Sequence, residues 1–190
     1  SPIGAGFFVI HHGPTGTITT IDNYATAPRA ARADLFRPVV GSLENETIDQ
    51  ENDTGYLAVG VPGALAGWAR AAEQFGTLPL AELITRAIRQ ARRGFTVSPY
   101  LSYCIDAEQA ALSRFPATAA VFLPGGTVPQ PGDRIVRSDY APTLERMAAN
   151  GPRELVDGET ARLLVEDMTL SGGLITAEDL AGYQLHERPA

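Results

Sequence analysis

The sequence contains no lysine, one cysteine and three histidines. A single cysteine, Cys104, cannot form a disulfide within the chain or build a cysteine-based metal site. His11 and His12 are adjacent, so on a strand they point to opposite faces and do not chelate one ion together. His186 lies apart from both, among charged residues. We therefore expect no metal site in this chain.

Long apolar runs and an excess of positive charge are also missing. No stretch approaches the roughly 20 apolar residues of a transmembrane helix. The formal net charge is -7, from 15 basic and 22 acidic residues. An acidic chain is poorly suited to binding nucleic-acid phosphates or an anionic lipid surface. We expect neither nucleic acid nor membrane among its partners. The 44% hydrophobic content fits a globular protein with a core.

The chain has no complete set of catalytic residues. It contains no Gly-x-Ser-x-Gly elbow and no glycine-rich phosphate loop ending in lysine. Gly4 and Gly6 precede a predicted strand, whereas the dinucleotide turn follows one. Asp157 and Glu159 sit beside a predicted helix start, where negative charge favours the helix dipole. We therefore assign no catalytic residue to this chain.

What is present begins with a β-hairpin. An apolar run from Gly6 to Ile10 and a β-branched run from Thr17 to Ile21 flank a turn-forming cluster at residues 11–16. The first strand is continuously apolar, which predicts that it is buried on both faces.

Helices dominate the rest of the chain. Apolar residues recur at helical spacing after Pro62 and again after Leu80, and Gly76 and Gly94 end these two helices. The polar side of the second helix carries three arginines that we expect to be solvated: Arg86, Arg89 and Arg93.

Three more helices and a short one follow. One helix is predicted from Ser98 to about Ser113, a second after Ser138 and a third around Leu164. Thr176 to Asp179 has the form of a capping box before a short helix. A hairpin followed by a mostly helical layer predicts an α+β or layered α/β fold.

Several short motifs resemble those of one enzyme family. The segment from Val61 to Gly67, VPGALAG, is similar to the V-P-G-x-x-x-G segment of γ-glutamyltransferases. Other similar runs follow in the same order: Phe75–Leu80, Ala91–Ser98, Pro131–Asp133, Asn150–Pro152, Gly172–Thr176 and Glu178–Tyr183. No single run is specific, but their order and spacing cover nearly the whole chain. The chain is identified as a member of this family.

The resemblance implies an N-terminal-nucleophile hydrolase fold, a layered αββα sandwich. Members of the family cleave their own precursor into two subunits, which form a heterodimer. The freed N-terminal Thr of the small subunit attacks a γ-glutamyl amide and forms an acyl-enzyme, combining nucleophile and base in one residue. Water or an acceptor amine then resolves the acyl-enzyme. The implied partners are the small subunit and a small-molecule amide, and no metal or organic cofactor is implied.

The resemblance places residues 1–190 within the large-subunit region. It implies that the catalytic Thr lies in sequence outside this chain, so the 190 residues alone are expected to be inactive. Relatives occur in the periplasm, outside the cell and in the cytoplasm, so no compartment follows.

One segment departs from the family pattern. The family usually reads D-x-R-E-x-A-P after the second strand, and that Arg binds the α-carboxylate of the glutamyl group. Here the segment is Asp22–Pro28, DNYATAP, with Tyr24 at the position of the Arg. Tyrosine offers one hydrogen bond but no charge and no bidentate fork. Losing a charge-assisted contact costs about 1.5–3 kcal/mol.

Two interpretations of Tyr24 follow. Tyr24 is a packed aromatic residue while other groups hold the carboxylate, or the pocket accepts an acyl group without a carboxylate there. The second interpretation is favoured, and Tyr24, with Asn23 and Thr26, is the predicted substrate-binding set. The predicted function is hydrolysis or transfer of γ-glutamyl or related acyl groups. The alternatives are an acylase for a non-glutamyl group and an inactive homologue that serves as a binding or structural protein.

Overall fold

The computed structural model describes residues 1–41 and 46–189. The strands in this part of the chain are β1 (Phe7–His12), β2 (Thr17–Asp22), β3 (Phe95–Thr96), β4 (Arg134–Ile135) and β5 (His186–Pro189). The α-helices are α1 (Ala64–Phe75), α2 (Leu80–Arg93), α3 (Pro99–Ala107), α4 (Gln109–Ser113), α5 (Pro116–Phe122), α6 (Tyr140–Asn150), α7 (Glu159–Leu170) and α8 (Ala177–Ala181). Short 3-10 turns cover Ile48–Gln50, Tyr56–Ala58, Pro124–Gly126 and Gly151–Leu155.

The described residues form two compact units. One lies within Ser1–Ala81 and Arg146–Ala190, and the other lies within Glu82–Glu145. The first unit contains a three-stranded antiparallel sheet in the order β1-β2-β5. The predicted hairpin is therefore confirmed, while β5 is an addition to it. Its sequence, HERP, lacks the apolar alternation by which a strand is recognised.

One face of this sheet packs against α1. The ring of His12 contacts that of Phe75 with centroids 5.7 Å apart, and Ile21 and Leu65 are completely or almost completely buried. A neighbouring cluster of buried residues completes the core of this unit: Val61, Ala161, Met168, Ile175 and Leu180.

The opposite face of the sheet is exposed in the described structure. Phe7 is 66% exposed and Val9 is 64% exposed, and alternate residues of β1 are more covered. The prediction that β1 is buried on both faces is therefore wrong for this chain. Within residues 1–41 and 46–189, β1 is an edge strand and the sheet has a helix on only one side.

The second unit has a core of its own. Val97, Ile105, Leu123 and Ile135 are buried together, and β3 pairs with β4. The predicted helix from Ser98 to Ser113 is two helices, because the chain leaves helical geometry at Glu108. Helix α5 was not predicted; it begins at Pro116, at the first helical position that proline favours.

The other predicted helix ends agree with the structure. Gly76 caps α1 through a hydrogen bond to Ala72, and Gly94 follows α2 with a φ of 77°. Thr176 and Asp179 form the capping box of α8 in both directions. No helix within 1–41 and 46–189 is long and apolar enough to cross a bilayer.

Candidate functional site

Tyr24 lies two residues after the end of β2, where the chain leaves the sheet. Its N–H donates to Asp22 Oδ1 at 3.2 Å, and its carbonyl oxygen accepts from the Tyr183 hydroxyl at 3.0 Å. The Tyr24 side chain is 62% exposed. The backbone of Tyr24 is thus held at two points while its phenol projects outward.

Asn23 lies beneath Tyr24 in the core. It is 2% exposed, and its N–H donates to the Gly6 carbonyl oxygen at 3.1 Å. Its side chain packs so closely on Gly67 that a Cβ there would overlap it. Asn23 therefore supports the segment from inside, and its predicted contact with substrate stays a prediction.

Two glycines of the VPGALAG segment allow this close packing. A Cβ on Gly63 would overlap the Tyr183 hydroxyl and the Asn23 carbonyl oxygen. The N–H groups of Gly63 and Ala64 both donate to the Gly4 carbonyl oxygen at 3.0 Å. This carbonyl satisfies two of the donors that the start of α1 leaves unpaired. The motif therefore holds α1 against the backbone that carries Tyr24.

Thr26 lies on a different cleft from Tyr24. The Thr26 N–H donates to the Val61 carbonyl oxygen at 3.3 Å, and the Val61 N–H donates to the Thr26 carbonyl oxygen at 2.8 Å. Thr26 lines a cleft of about 230 Å³ that also contains Arg29, Asp179 and Tyr183. Its predicted role in substrate binding also stays a prediction.

The cleft beside Tyr24 has a volume of about 390 Å³. It is lined by Phe7, Thr20, Asp22, Tyr24 and Arg188. These residues lie on or next to the exposed face of the sheet, because β2 pairs with both β1 and β5 in antiparallel register. The cleft therefore opens on the side of the sheet that α1 does not cover.

The cleft contains one cation and one anion. Arg188 lies opposite Thr20 in the register of β5 and β2, and its Nη2 is 3.5 Å from Asp22 Oδ2. Sequence reasoning missed Arg188, because only the unpredicted pairing of β5 brings it beside Tyr24. Its charge is already opposed by Asp22, so the cleft offers no excess positive charge.

Tyr183 lines the cleft that contains Thr26, and its hydroxyl donates to the backbone of Tyr24 in the other cleft. Burial raises the pKa of Tyr183, and the negative charge of Asp22 raises it further. The phenol therefore stays neutral and keeps the proton that it donates to Tyr24.

The described residues contain no group of three His, Cys, Asp or Glu side chains arranged to hold a metal ion.

Asp179, a carboxylate in the cleft that Thr26 lines, accepts hydrogen bonds from α8 and the neighbouring backbone. Its Oδ2 accepts from the Thr176 N–H at 2.9 Å and its Oδ1 from the Arg29 N–H at 2.9 Å. Burial would raise the pKa of Asp179, but these hydrogen bonds lower it overall. Asp179 is thus an ionised structural residue.

Comparison with known proteins identifies a family for this chain. The family model described as gamma-glutamyltranspeptidase matches residues 1–190. The chain is 47% identical over 175 residues to the Acylase ACY 1 proenzyme of Pseudomonas sp. (strain V22), covering 91% of this chain and 31% of that protein. It is 34% identical over 187 residues to the glutathione hydrolase proenzyme of Escherichia coli (strain K12), covering 98% of this chain and 32% of that protein.

A solved structure has the same fold. The γ-glutamyltranspeptidase of Helicobacter pylori superposes with a TM-score of 0.90 at 31% identity, covering 99% of this chain and 53% of that one. The predicted α+β fold of the N-terminal-nucleophile hydrolase type is confirmed by this likeness. The chain spans about a third of the length of the two curated relatives. By family model, sequence and fold, this chain belongs to the γ-glutamyltranspeptidase family.

Proposed function

We propose that this chain is part of the large subunit of an N-terminal-nucleophile acylase. In this proposal the enzyme hydrolyses, or transfers to an amine, an acyl group that has no α-carboxylate at the Tyr24 position. The nucleophile is an N-terminal Thr on a small subunit cut from the same precursor. Its hydroxyl oxygen adds to the amide carbon, the amine leaves with a proton, and water releases the acid from the resulting ester.

The observation that carries the proposal is the chemistry of the Tyr24 cleft. A phenol stands where the family pattern has a guanidinium, and Arg188 in the same cleft is opposed by Asp22. A carboxylate entering the cleft would meet no unopposed positive charge. An acyl chain without that carboxylate would lose nothing there and would contact the rings of Tyr24 and Phe7.

Similarity to known relatives also supports an acylase. The acylase proenzyme is 47% identical to this chain, whereas the glutathione hydrolase proenzyme is 34% identical. Each alignment spans more than nine-tenths of this chain. The similarity is therefore greater to the relative whose name specifies acyl removal.

The exposed face of the sheet supports a covering subunit. Phe7, Val9 and Ile18 are all at least 45% exposed, and strand pairing puts them on one face, with Ile18 opposite His11. A sheet face with several large apolar side chains is normally covered. We propose that the small subunit covers it and thereby brings the nucleophile to the cleft beside Tyr24.

The proposal is tested by restoring the family residue. In the full-length enzyme, Tyr24→Arg should raise the kcat/KM ratio of a γ-glutamyl anilide to a butyryl anilide by about tenfold to a hundredfold, the equivalent of one charge-assisted contact. Tyr24→Phe is the matched control, because it keeps the ring and adds no charge. An equal change of this kcat/KM ratio in Tyr24→Arg and Tyr24→Phe would overturn the role assigned to Tyr24.

A second candidate rests on Arg188. If substrate displaces Asp22 from Arg188, this guanidinium holds a carboxylate in place of the missing Arg, and the enzyme is a γ-glutamyl transferase or hydrolase. Arg188→Gln would then abolish any preference for the γ-glutamyl anilide. Under the acylase proposal, Arg188→Gln leaves the ratio of the two anilides unchanged.

A further inference from the structure

The arginines of this chain divide into two classes. Ten of the 15 lie within ion-pair distance of a carboxylate, and Arg114 lies over the ring of Phe115. Four have no ion pair, hydrogen bond or ring contact with any described residue: Arg86, Arg89, Arg93 and Arg134. In a chain of net charge -7, guanidinium groups without a carboxylate are the exception.

These four arginines line one and the same cleft. The cleft has a volume of about 390 Å³, and its remaining lining residues are Gln90 and Gly94. It lies entirely within the second unit, in Glu82–Glu145. The cleft falls within the size range of small-molecule sites, which begins at about 300 Å³.

Local structure brings the four side chains together. Arg86, Arg89 and Arg93 are separated by three and four residues on α2, so they share one face of the helix. The chain then turns back at Gly94, whose φ is 77°. A Cβ on Gly94 would lie 2.7 Å from the Ile135 carbonyl oxygen. Only glycine allows α2 to end this close to β4, the strand that carries Arg134.

A helix dipole explains only part of this arrangement. Basic residues in the last turn of a helix are favoured by its negative end, and this applies to Arg93. Arg86 lies two turns earlier, and Arg134 lies on a strand. Glu82, four residues before Arg86, makes no ion pair with it in the described structure. Like charges three and four residues apart destabilise a helix, so the row of arginines does not serve the stability of α2.

We propose that this cleft binds a small anion carrying more than one phosphate group. Guanidinium groups bind phosphate oxygens through paired hydrogen bonds, and several guanidinium groups around one cleft match several negative groups on one ligand. All residues of this cleft belong to the second unit, whereas those of the Tyr24 cleft belong to the first. This proposal replaces the expectation that Arg86, Arg89 and Arg93 are only solvated.

The probe for the test is inorganic tripolyphosphate. We expect the full-length enzyme to bind it with one saturable site at low ionic strength, measured by titration calorimetry, and to bind it more weakly as salt is added. Arg89→Gln combined with Arg134→Gln should weaken binding by at least about tenfold. All four arginines are exposed, so these variants should keep the fold, which their circular dichroism checks.

Arg92→Gln is the matched control. Arg92 lies on the same helix, but its Nε is 2.8 Å from Glu145 Oε1, and it does not line the cleft. Binding should change by less than about twofold in this variant. An equal loss in both variants would overturn the proposal, because it would reflect net charge alone. An unmodified enzyme that binds phosphatidylglycerol vesicles but not tripolyphosphate would also overturn it, since a lipid surface would then be the ligand.

Discussion

The hydroxyl of Tyr183 donates a hydrogen bond to the carbonyl oxygen of Tyr24 across 3.0 Å. These residues are 159 positions apart in the chain. The bond ties the segment after α8 to the segment after β2, and Gly63 leaves the space that it needs. The position of the Tyr24 side chain in its cleft therefore depends on a residue near the other end of the described chain.

Removing this hydrogen bond should make the position of Tyr24 less fixed. In the full-length enzyme we expect Tyr183→Phe to raise KM for the preferred acyl anilide severalfold, with a smaller change in kcat, because one neutral hydrogen bond contributes about 1 kcal/mol. Steady-state kinetics separate the two constants. Tyr103→Phe, at an exposed position on α3, should change neither; a larger fall in kcat than rise in KM for Tyr183→Phe would contradict a positioning role.

Close packing at Gly67 makes it sensitive to a single methyl group. Gly67→Ala places a Cβ in overlap with the Asn23 side chain, and overpacking of this kind costs about 1–3 kcal/mol. The free energy of unfolding, measured by denaturant titration of the full-length protein, should fall by that amount. Gly13→Ala is the control, since nothing lies within 4 Å of a Cβ there. Equal stability of the two variants would mean that Asn23 has room to move.

Glu154 should make the protein sensitive to acid. This carboxylate is completely buried and accepts hydrogen bonds from Thr160 N, Asn150 Nδ2 and Arg146 Nε at 2.7, 2.7 and 3.1 Å. Burial would raise the pKa of Glu154, but these bonds lower it overall. A lowered pKa means that ionised Glu154 adds stability above the unfolded pKa of about 4.3, and that this stability is lost as pH falls through the lower folded pKa.

Glu154→Gln tests this relationship. The glutamine side chain has an NH₂ donor in place of one carboxylate oxygen, and this donor would face the N–H groups that now donate to Glu154. The free energy of unfolding should therefore fall by about 1–3 kcal/mol at neutral pH. Below the folded pKa the cost should shrink, so thermal melts at several pH values should converge as acid is added. Glu166→Gln, whose ion pair with Arg162 is exposed, should remain close to the unmodified protein throughout. A pH-independent difference for Glu154→Gln would show that its charge is not the stabilising feature.

Sequence reasoning succeeded where the signal is local. The hairpin, the ends of α1 and α2 at glycines, and the capping box of Thr176 and Asp179 depend on residues within a few positions of one another. The family resemblance likewise depended on short motifs in a fixed order, and the comparisons confirm it.

The site itself depended on contacts that no local pattern contains. Arg188 reaches the Tyr24 cleft because β5 pairs with β2, although HERP has no strand periodicity. Asn23 lies in the core while Tyr24 is exposed, because successive residues of an extended chain face opposite ways; its predicted contact with substrate stays a prediction. The grouping of Arg134 with the arginines of α2 required the turn at Gly94.

The most direct test of the acylase proposal compares two substrates on the unmodified full-length enzyme. The measurement is the kcat/KM ratio for amine release from a butyryl anilide and from a γ-glutamyl anilide, which differ by the α-amino and α-carboxylate groups. We predict that the butyryl anilide is preferred, because the Tyr24 cleft has no unopposed cation to hold the α-carboxylate. A clear preference for the γ-glutamyl anilide would contradict it and would mean that another group binds that carboxylate.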